Sequence, residues 1–333
     1  MNIIIHRGTH QIGGSAIEIS TASTRIILDF GNELSLDEKY TPINLDIDGV
    51  TKGILDCDGI VISHYHMDHL GQLTSALPEI PLYMGELSKE VAMIATEHQD
   101  KDLYLRLLDA NTFRGGEAFT IGNIHIRPLV IDHSAVDSYM FVIESEGKRV
   151  LYTGDFRMHG VRGHVLEKLI RTYIGDVDVL ITEGTSLSRN AHDGISEREV
   201  LDDISSYIQD GKYVFVMCSS TNIDRIMEIW HNMPTDKVLI CDAYQKRILD
   251  TVIDNVYYDS TLYRRPDSPL VLDIGAYPKY YMDNGFVSLA RGTENYISEI
   301  KKFPKDDVRI IYSMWIGYIE ENLALKTLLE TYP

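Results

Sequence analysis

The sequence predicts an α/β protein in two parts: an αββα sandwich, then a second α/β region built on a parallel sheet. Three observations lead to that expectation. The first 30 residues fall into short β-rich runs broken by Gly and Thr: 2–5, then Gly8, Gly13 and Gly14, then 16–20, then 25–28 ending in Asp29-Phe30-Gly31. Such runs between turn residues read as antiparallel strands. A short apolar run at 59–63 reads as a buried strand, and a dense histidine cluster follows it at once. Beyond Glu183, strand-like and helix-like runs alternate, the mark of βαβ units.

The remaining elements follow in order. Residues 32–53 are polar with Pro42 and read as a loop. A short helix is expected at 70–76, a strand at 82–84, and one or two helices over 87–108. Strands are expected at 124–131, 138–144 and 149–152, the last two joined by a turn at Gly147-Lys148. Residues 177–182 read as a further buried strand. Helix 195–209 begins with Ser196 and Glu199 spaced as a capping box. Then come strand 213–217, helix 222–231, strand 238–241, helix 243–253, strand 308–312 and helix 320–329. The change of character places the domains at 1–186 and 187–333, and a chain of 333 residues suits two domains.

Composition narrows the class. With 44% hydrophobic and 24% charged residues the chain can bury an ordinary globular core. No apolar run approaches the ~20 residues of a membrane helix, and residues 2–5 open a strand rather than a leader, so a cytoplasmic protein without a membrane partner is expected. Cys57, Cys218 and Cys241 are scattered and odd in number, which fits free thiols in a reducing compartment. The 31 Lys+Arg against 50 Asp+Glu give a formal charge of −19, which argues against broad electrostatic binding to nucleic acid. A local basic groove, or metal ions that neutralise phosphate, stays compatible with it.

The central chemical signal is Ser63-His64-Tyr65-His66-Met67-Asp68-His69-Leu70-Gly71. Three histidines and an aspartate within six residues, leaving a strand end, supply the neutral imidazole and carboxylate that zinc-like ions prefer. A turn there can aim some side chains at one ion and the rest at another. A His-rich solvated loop is the plain alternative, and four ligand-type residues in this order make it the weaker one. Distant partners stand at the same place relative to strands: Asp132-His133-Ser134 after 124–131, Gly154-Asp155-Phe156 after 149–152, and Asp29 after 26–28. Singly, each is an ordinary turn or loop residue; together they point to a metal site.

His-x-His-x-Asp-His, then a lone His, then Thr-Gly-Asp, resembles the metallo-β-lactamase superfamily over residues 1 to about 186. Leu28-Asp29-Phe30-Gly31 and Gly8-Thr9-His10-Gln11-Ile12-Gly13-Gly14-Ser15 are similar to that family's opening motifs. Glu183-Gly184-Thr185 followed by an α/β region resembles the β-CASP branch, which includes ribonuclease J and mRNA 3′-end cleavage nucleases. Residues 214–225, with Ser219, Ser220, Asn222 and Arg225, look like the first strand and helix of that insert, and residues 310–317 like its last strand and turn. The resemblance implies two divalent ions, Zn2+ or else Mn2+. His64, His66 and His133 would hold one, Asp68 and His69 the other, with Asp155 bridging. Asp29 and Glu183 would orient ligands. Asp68, Asp155 and Glu183 are the expected catalytic carboxylates. A water shared by the ions would attack phosphorus.

The resemblance also implies a return segment with Ser-Gly-His and a final metal-binding histidine, yet no histidine follows His231. The expectation is a truncated chain. A degenerate or split protein, and one whose missing segment a partner chain supplies, are the alternatives; a homo-oligomer or a partner chain is the association expected. The function expected is phosphodiester cleavage on RNA, less readily DNA. Hydrolysis of small esters, lactones or thioesters, and a non-catalytic nuclease-like subunit, are the competing readings. Elsewhere, His159 and His164 with Arg157 and Arg162 read as a solvated loop sooner than a phosphate contact. Ser219, Ser220 and Asn222 read equally as an anion site or a plain N-cap. Trp230 and Trp315 read as core.

Overall fold

A computed structural model describes residues 1–34, 43–185, 187, 195–258, 260–267, 270–272 and 279–332. The chain forms two compact units, Met1–Gly194 and Ile195–Pro333. Residue 186, the expected end of the first domain, and part of the expected 32–53 loop lie outside the described residues.

Unit 1 holds two sheets. The first comprises β1 (Asn2–Arg7), β2 (Ala16–Ser20), β3 (Arg25–Leu28), β4 (Gly59–Ile62), β5 (Leu82–Gly85) and β6 (Asn111–Phe113), paired in sequence order. β1 to β3 pair antiparallel, and β3 to β6 run parallel. The second comprises β7 (Phe119–Ile121), β8 (Ile124–Ile131), β9 (Ser138–Ser145), β10 (Lys148–Tyr152) and β11 (Val179–Ile181), antiparallel except for the parallel β10–β11 pair.

Side chains alternate across a strand with period two, and the second sheet uses both faces. Ile124, Ile126, Tyr139, Phe141, Ile143, Val150 and Tyr152 pack with Ile17, Ile19, Ile26, Leu28 and Val61 of the first sheet. The residues between them, Leu129, Ile131, Met140, Val142 and Leu151, pack outward on Leu166 and Ile174. A sheet buried on both faces reads as a nearly continuous apolar run. The helices of this unit are α1 (Met67–Leu70), α2 (Glu86–Thr96), α3 (Lys101–Leu108) and α4 (Leu166–Leu169), with α2 against β5 and β6. The layers are those of an αββα sandwich.

Some boundaries differ from expectation. The helix expected at 70–76 starts at Met67, inside the histidine motif, and a 3-10 turn occupies Leu73–Ser75. The buried strand expected at 177–182 is the edge strand β11, with Val179 and Leu180 exposed. β6 and β7, three residues each, are too short to show a period.

Unit 2 is a parallel sheet with helices. Its elements are α5 (Glu197–Asp210), β12 (Tyr213–Met217), α6 (Ile223–Asn232), β13 (Leu239–Cys241), α7 (Ala243–Asn255), β14 (Leu270–Leu272), α8 (Lys279–Asn284), β15 (Phe286–Ala290), α9 (Glu294–Ile300), β16 (Val308–Tyr312), α10 (Gly317–Glu321) and α11 (Leu323–Thr331). The strand order is β14-β13-β15-β12-β16, all parallel. Tyr213, Phe215, Phe286, Phe303, Val308, Leu325 and Leu328 share one core. β14, β15 and α9 were not anticipated; β15 is wholly buried, so Phe286–Ala290 carries no polar alternation to mark it. Trp230 is core as expected, but Trp315 is 48% exposed. No helix among the described residues is long and apolar enough to cross a membrane.

The start of unit 2 is pinned chemically. Ser196 and Glu199 form the reciprocal capping box of α5. Glu197, almost fully buried, takes a bidentate pair from Arg225 Nε and NH2 at 2.6 and 2.7 Å, and NH1 reaches Ser313 O and Oγ at 3.0 and 2.9 Å. Arg225 is therefore a structural tie between α5, α6 and the end of β16. Removing one partner of a buried pair strands the other charge, at a cost of about 3–5 kcal/mol, whereas losing an N-cap costs about 1 kcal/mol. Glu197→Ala should thus lower the urea stability of the chain by about 3 kcal/mol and Ser196→Ala by about a third of that. Equal losses would contradict the account of this pair.

Candidate metal centre

The histidine motif leaves β4 and turns at once into α1. Backbone contacts from the first 34 residues hold that turn. Asp68 O accepts from Gly14 N and Ser15 N at 3.1 Å each, His69 O from Phe30 N at 2.7 Å, and Met67 O from Asn32 N at 2.9 Å. The approach is close enough to require glycine: a Cβ on Gly31 would lie 1.6 Å from Asp68 O. The glycine-rich opening stretch is in this way the cradle of the motif.

Asp29 organises the ligands. It is fully buried at the end of β3, with φ of 54°, a left-handed conformation that Asp tolerates better than most residues. Its carboxylate accepts from Ser63 N at 2.7 Å, Ser63 Oγ at 2.8 Å, His69 Nδ1 at 2.8 Å and the Tyr152 hydroxyl. Ser63 Oγ has one hydrogen, and it goes to Asp29. The oxygen must then accept from His64 Nδ1, 3.0 Å away. With Nδ1 protonated in both rings, His64 presents the lone pair of Nε2, and His69 has Nε2 left to take a proton or a metal ion, an assignment inferred from this network.

Those nitrogens meet other ligand atoms. His66 Nδ1 lies 3.1 Å from both His64 Nε2 and His133 Nε2. Burial, then the neighbouring imidazoles, keeps His64 and His133 well below the usual histidine range, and burial holds His66 at about 4. Three neutral imidazoles with converging nitrogens have the chemistry of a zinc-type ligand set. On the other side His69 Nε2 faces Asp155 Oδ1 at 3.3 Å and Asp68 Oδ2 at 3.7 Å. Burial opposes charge on His69, but Asp29 and Asp155 outweigh it and raise its pKa well above the ordinary value. Burial likewise opposes ionisation of Asp155, and the His69 contact outweighs it, bringing Asp155 to about 2. A lone pair among carboxylates demands a cation there, a proton or a metal ion.

Among the described residues, two sets of ligand atoms lie within 4.8 Å of one another: His64, His66 and His133, and His64, His69 and Asp155. His64 thus belongs to both groups, and Asp68 stands beside the second through His69. Glu183 lies one step back: its Oε1 accepts from Phe156 N at 3.0 Å, fixing the turn that carries Asp155. Tyr65 OH accepts from Val136 N at 2.9 Å, holding the loop after His133 to the motif. Ser63, Tyr65 and Tyr152 carry no ligand signature in sequence, so their parts emerge only from the structure. The loop around Arg157 corrects an expectation. His159 and His164 are exposed, as a solvated loop requires, but Arg157 Nε donates to buried Asp132 at 2.6 Å and Arg162 N donates to the same carboxylate, so the base of the loop is a tie and Arg157 is not solvated.

Residues 25–216, more than half of the chain, match the family model described as Beta-lactamase superfamily domain. The chain belongs to the beta-lactamase superfamily. The metallo-β-lactamase fold and the relationship to β-CASP ribonucleases expected from the sequence are both borne out. This superfamily member is 27% identical over 223 residues to an RNase J-like protein of Methanocaldococcus jannaschii, covering 63% of this chain and 49% of that one. It is 26% identical to Ribonuclease J 2 of Streptococcus pyogenes, over 67% of this chain and 41% of the relative. It is 25% identical to Endoribonuclease YSH1 of Gibberella zeae, over 78% and 32%. The chain spans about half the length, or less, of these curated relatives. A crystal structure of a protein of unknown function from Enterococcus faecalis superposes with a TM-score of 0.69 at 17% identity, covering 97% of this chain and 91% of that one, a likeness of fold.

Asp29→Asn keeps the shape of the hub and removes the charge that orients His69. Loss of such a supporting partner typically costs about 10–100-fold in metal affinity. The variant should show that loss in a competitive Zn2+ titration while its circular dichroism stays unchanged. Unaltered affinity would remove Asp29 from this role.

Proposed function

We propose that this chain is a metal-dependent phosphodiesterase that cleaves RNA, with DNA the poorer substrate. The observation that carries the proposal is the convergence of His64, fully buried, with the partly buried His66 and His133, all three kept below the usual histidine range, beside the group of His64, His69 and Asp155. Membership of a hydrolase superfamily and relatives named as ribonucleases support the substrate class. An imidazole-rich set favours Zn2+, and the carboxylates of the second group keep Mn2+ admissible. Unit 2 is assigned as the β-CASP-type domain.

Bound ions would supply a water of near-neutral pKa and positive charge against the phosphoryl oxygens. The chain's own residues do the rest. His64, His66 and His133 hold one ion. His69 and Asp155, with Asp68 beside them, hold the other. Asp68 Oδ2 is the carboxylate assigned to proton transfer, and Asp29 keeps the His69 ring turned so that Nε2 faces the site. Glu183 acts through the backbone of Phe156, setting the position of Asp155.

Elemental analysis of the purified chain should find two equivalents of divalent metal. RNA cleavage should exceed DNA cleavage and vanish on chelation. Asp68→Ala and His69→Ala should each reduce cleavage by a factor on the order of 1000 or more with the fold retained. Full cleavage by His69→Ala, or a chain that binds no metal, would refute the proposal.

A further inference from the structure

Strand β1 ends on an arginine turned into the protein. Ile5 pairs with Ile17 and Arg7 with Ala16, so β1 carries one residue more than β2 at this point. Such a bulge re-aims a side chain, and bulges gather beside active sites. Arg7, 7% exposed, is the one buried residue of β1. A buried guanidinium is costly unless its N–H groups are used, and those of Arg7 meet main-chain carbonyls. Nε donates to Gly14 O at 3.0 Å, NH1 to Ile43 O at 2.7 Å and NH2 to Gly31 O. The Glu33 carboxylate, partly exposed, stands 3.8 Å from NH1.

Gly14 and Gly31 belong to the two segments that grip the peptide of Asp68. Gly14 N and Ser15 N donate to Asp68 O, and Gly31 N donates to Ser15 O at 3.1 Å. A Cβ on Gly14 would lie 2.9 Å from Arg7 Nε, so the guanidinium rests against that turn, as Gly31 rests against Asp68 O. Arg7 therefore binds both segments by their carbonyls, while N–H groups of the same segments reach Met67, Asp68 and His69. The first ligand group is held by other means: His64 through Ser63 Oγ, and the loop after His133 through Tyr65 OH.

We propose that Arg7 is a positioning residue for the second ligand group: by fixing Gly14 and Gly31 it keeps Asp68 and His69 within reach of one ion, acting through the main chain. The inference rests on the reading that His69 and Asp155, with Asp68 beside them, hold an ion. The planar guanidinium points its donors in fixed, different directions, which suits three separate carbonyls. Lysine keeps the charge but lacks the fork, so it cannot replace Arg7 here. The effect is selective, because the clasp begins at Met67 and leaves His64 and His133 to their own supports.

The test is a Zn2+ titration of the full chain read in histidine ring 15N spectra, which needs no substrate. His69 reports the second group, and His66 and His133 report the first. In the native sequence both groups should saturate. In Arg7→Met the His69 change should need about 10–100-fold more Zn2+, the usual effect of losing a supporting partner, while His66 and His133 saturate as before. Arg7→Lys should show the same selective weakening and covers the case in which Arg7→Met fails to fold. A His69 response unchanged in both variants overturns the role of Arg7 alone, and full rescue by Arg7→Lys overturns the part given to the fork. Equal weakening at all three rings, or loss of fold in both variants, makes Arg7 a general structural residue and also overturns it. A native chain whose His69 ring ignores Zn2+ removes the ion from the second group, and both readings fall together.

Discussion

The carboxylate of Asp29 is the point on which the rest of unit 1's chemistry depends. It stands at the end of β3, deep in the sandwich, and accepts hydrogen bonds from the loop after β4, from α1 and from the end of β10. These donors come from both sheets, so one buried anion joins the two layers at the edge where the ligands gather. A buried carboxylate is costly unless it is fully hydrogen-bonded, and here four donors meet it. The same bonds decide which nitrogen of His64 and His69 carries a proton. Structure and ligand chemistry therefore rest on one group.

Around that group the site is divided by charge. On one side His64, His66 and His133 are kept neutral by burial and mutual repulsion. On the other, His69 sits among Asp29, Asp68 and Asp155 and is drawn toward the charged form. The neutral side offers lone pairs outright. The acidic side holds a place for a cation that a proton fills in the metal-free chain. Asp132 and Arg157 support this arrangement from behind, tying the residue before His133 to the turn that follows Asp155.

Much of this was legible in the sequence because ligand-type residues stand directly after apolar runs: Asp29, His64, His133 and Asp155 could be placed at strand ends without coordinates. The apolar runs of β8 to β10, bounded by turn residues, gave those strands to within a residue or so. What escaped has physical reasons. Ser63, Tyr65 and Tyr152 act through a hydrogen bond, which any polar residue at that spot can make, so residue type alone does not mark them. β15 is buried on every side and lacks alternation, while β6 and β7 are too short to have any. Arg157 looked solvated because its partner, Asp132, is 25 positions away in the chain. Trp315 was read from its apolar bulk, which says nothing of its place at the exposed end of β16.

The most direct measurement is the histidine ring 15N spectrum of the metal-free chain near neutral pH. The account predicts that His64 carries its proton on Nδ1, with Nε2 bare, and that His69 is protonated on both nitrogens. It also predicts that His69 loses the Nε2 proton when a divalent ion is added. A His64 ring protonated on Nε2, or a His69 ring that is neutral before metal arrives, would contradict the claim that Asp29 sets the state of both rings.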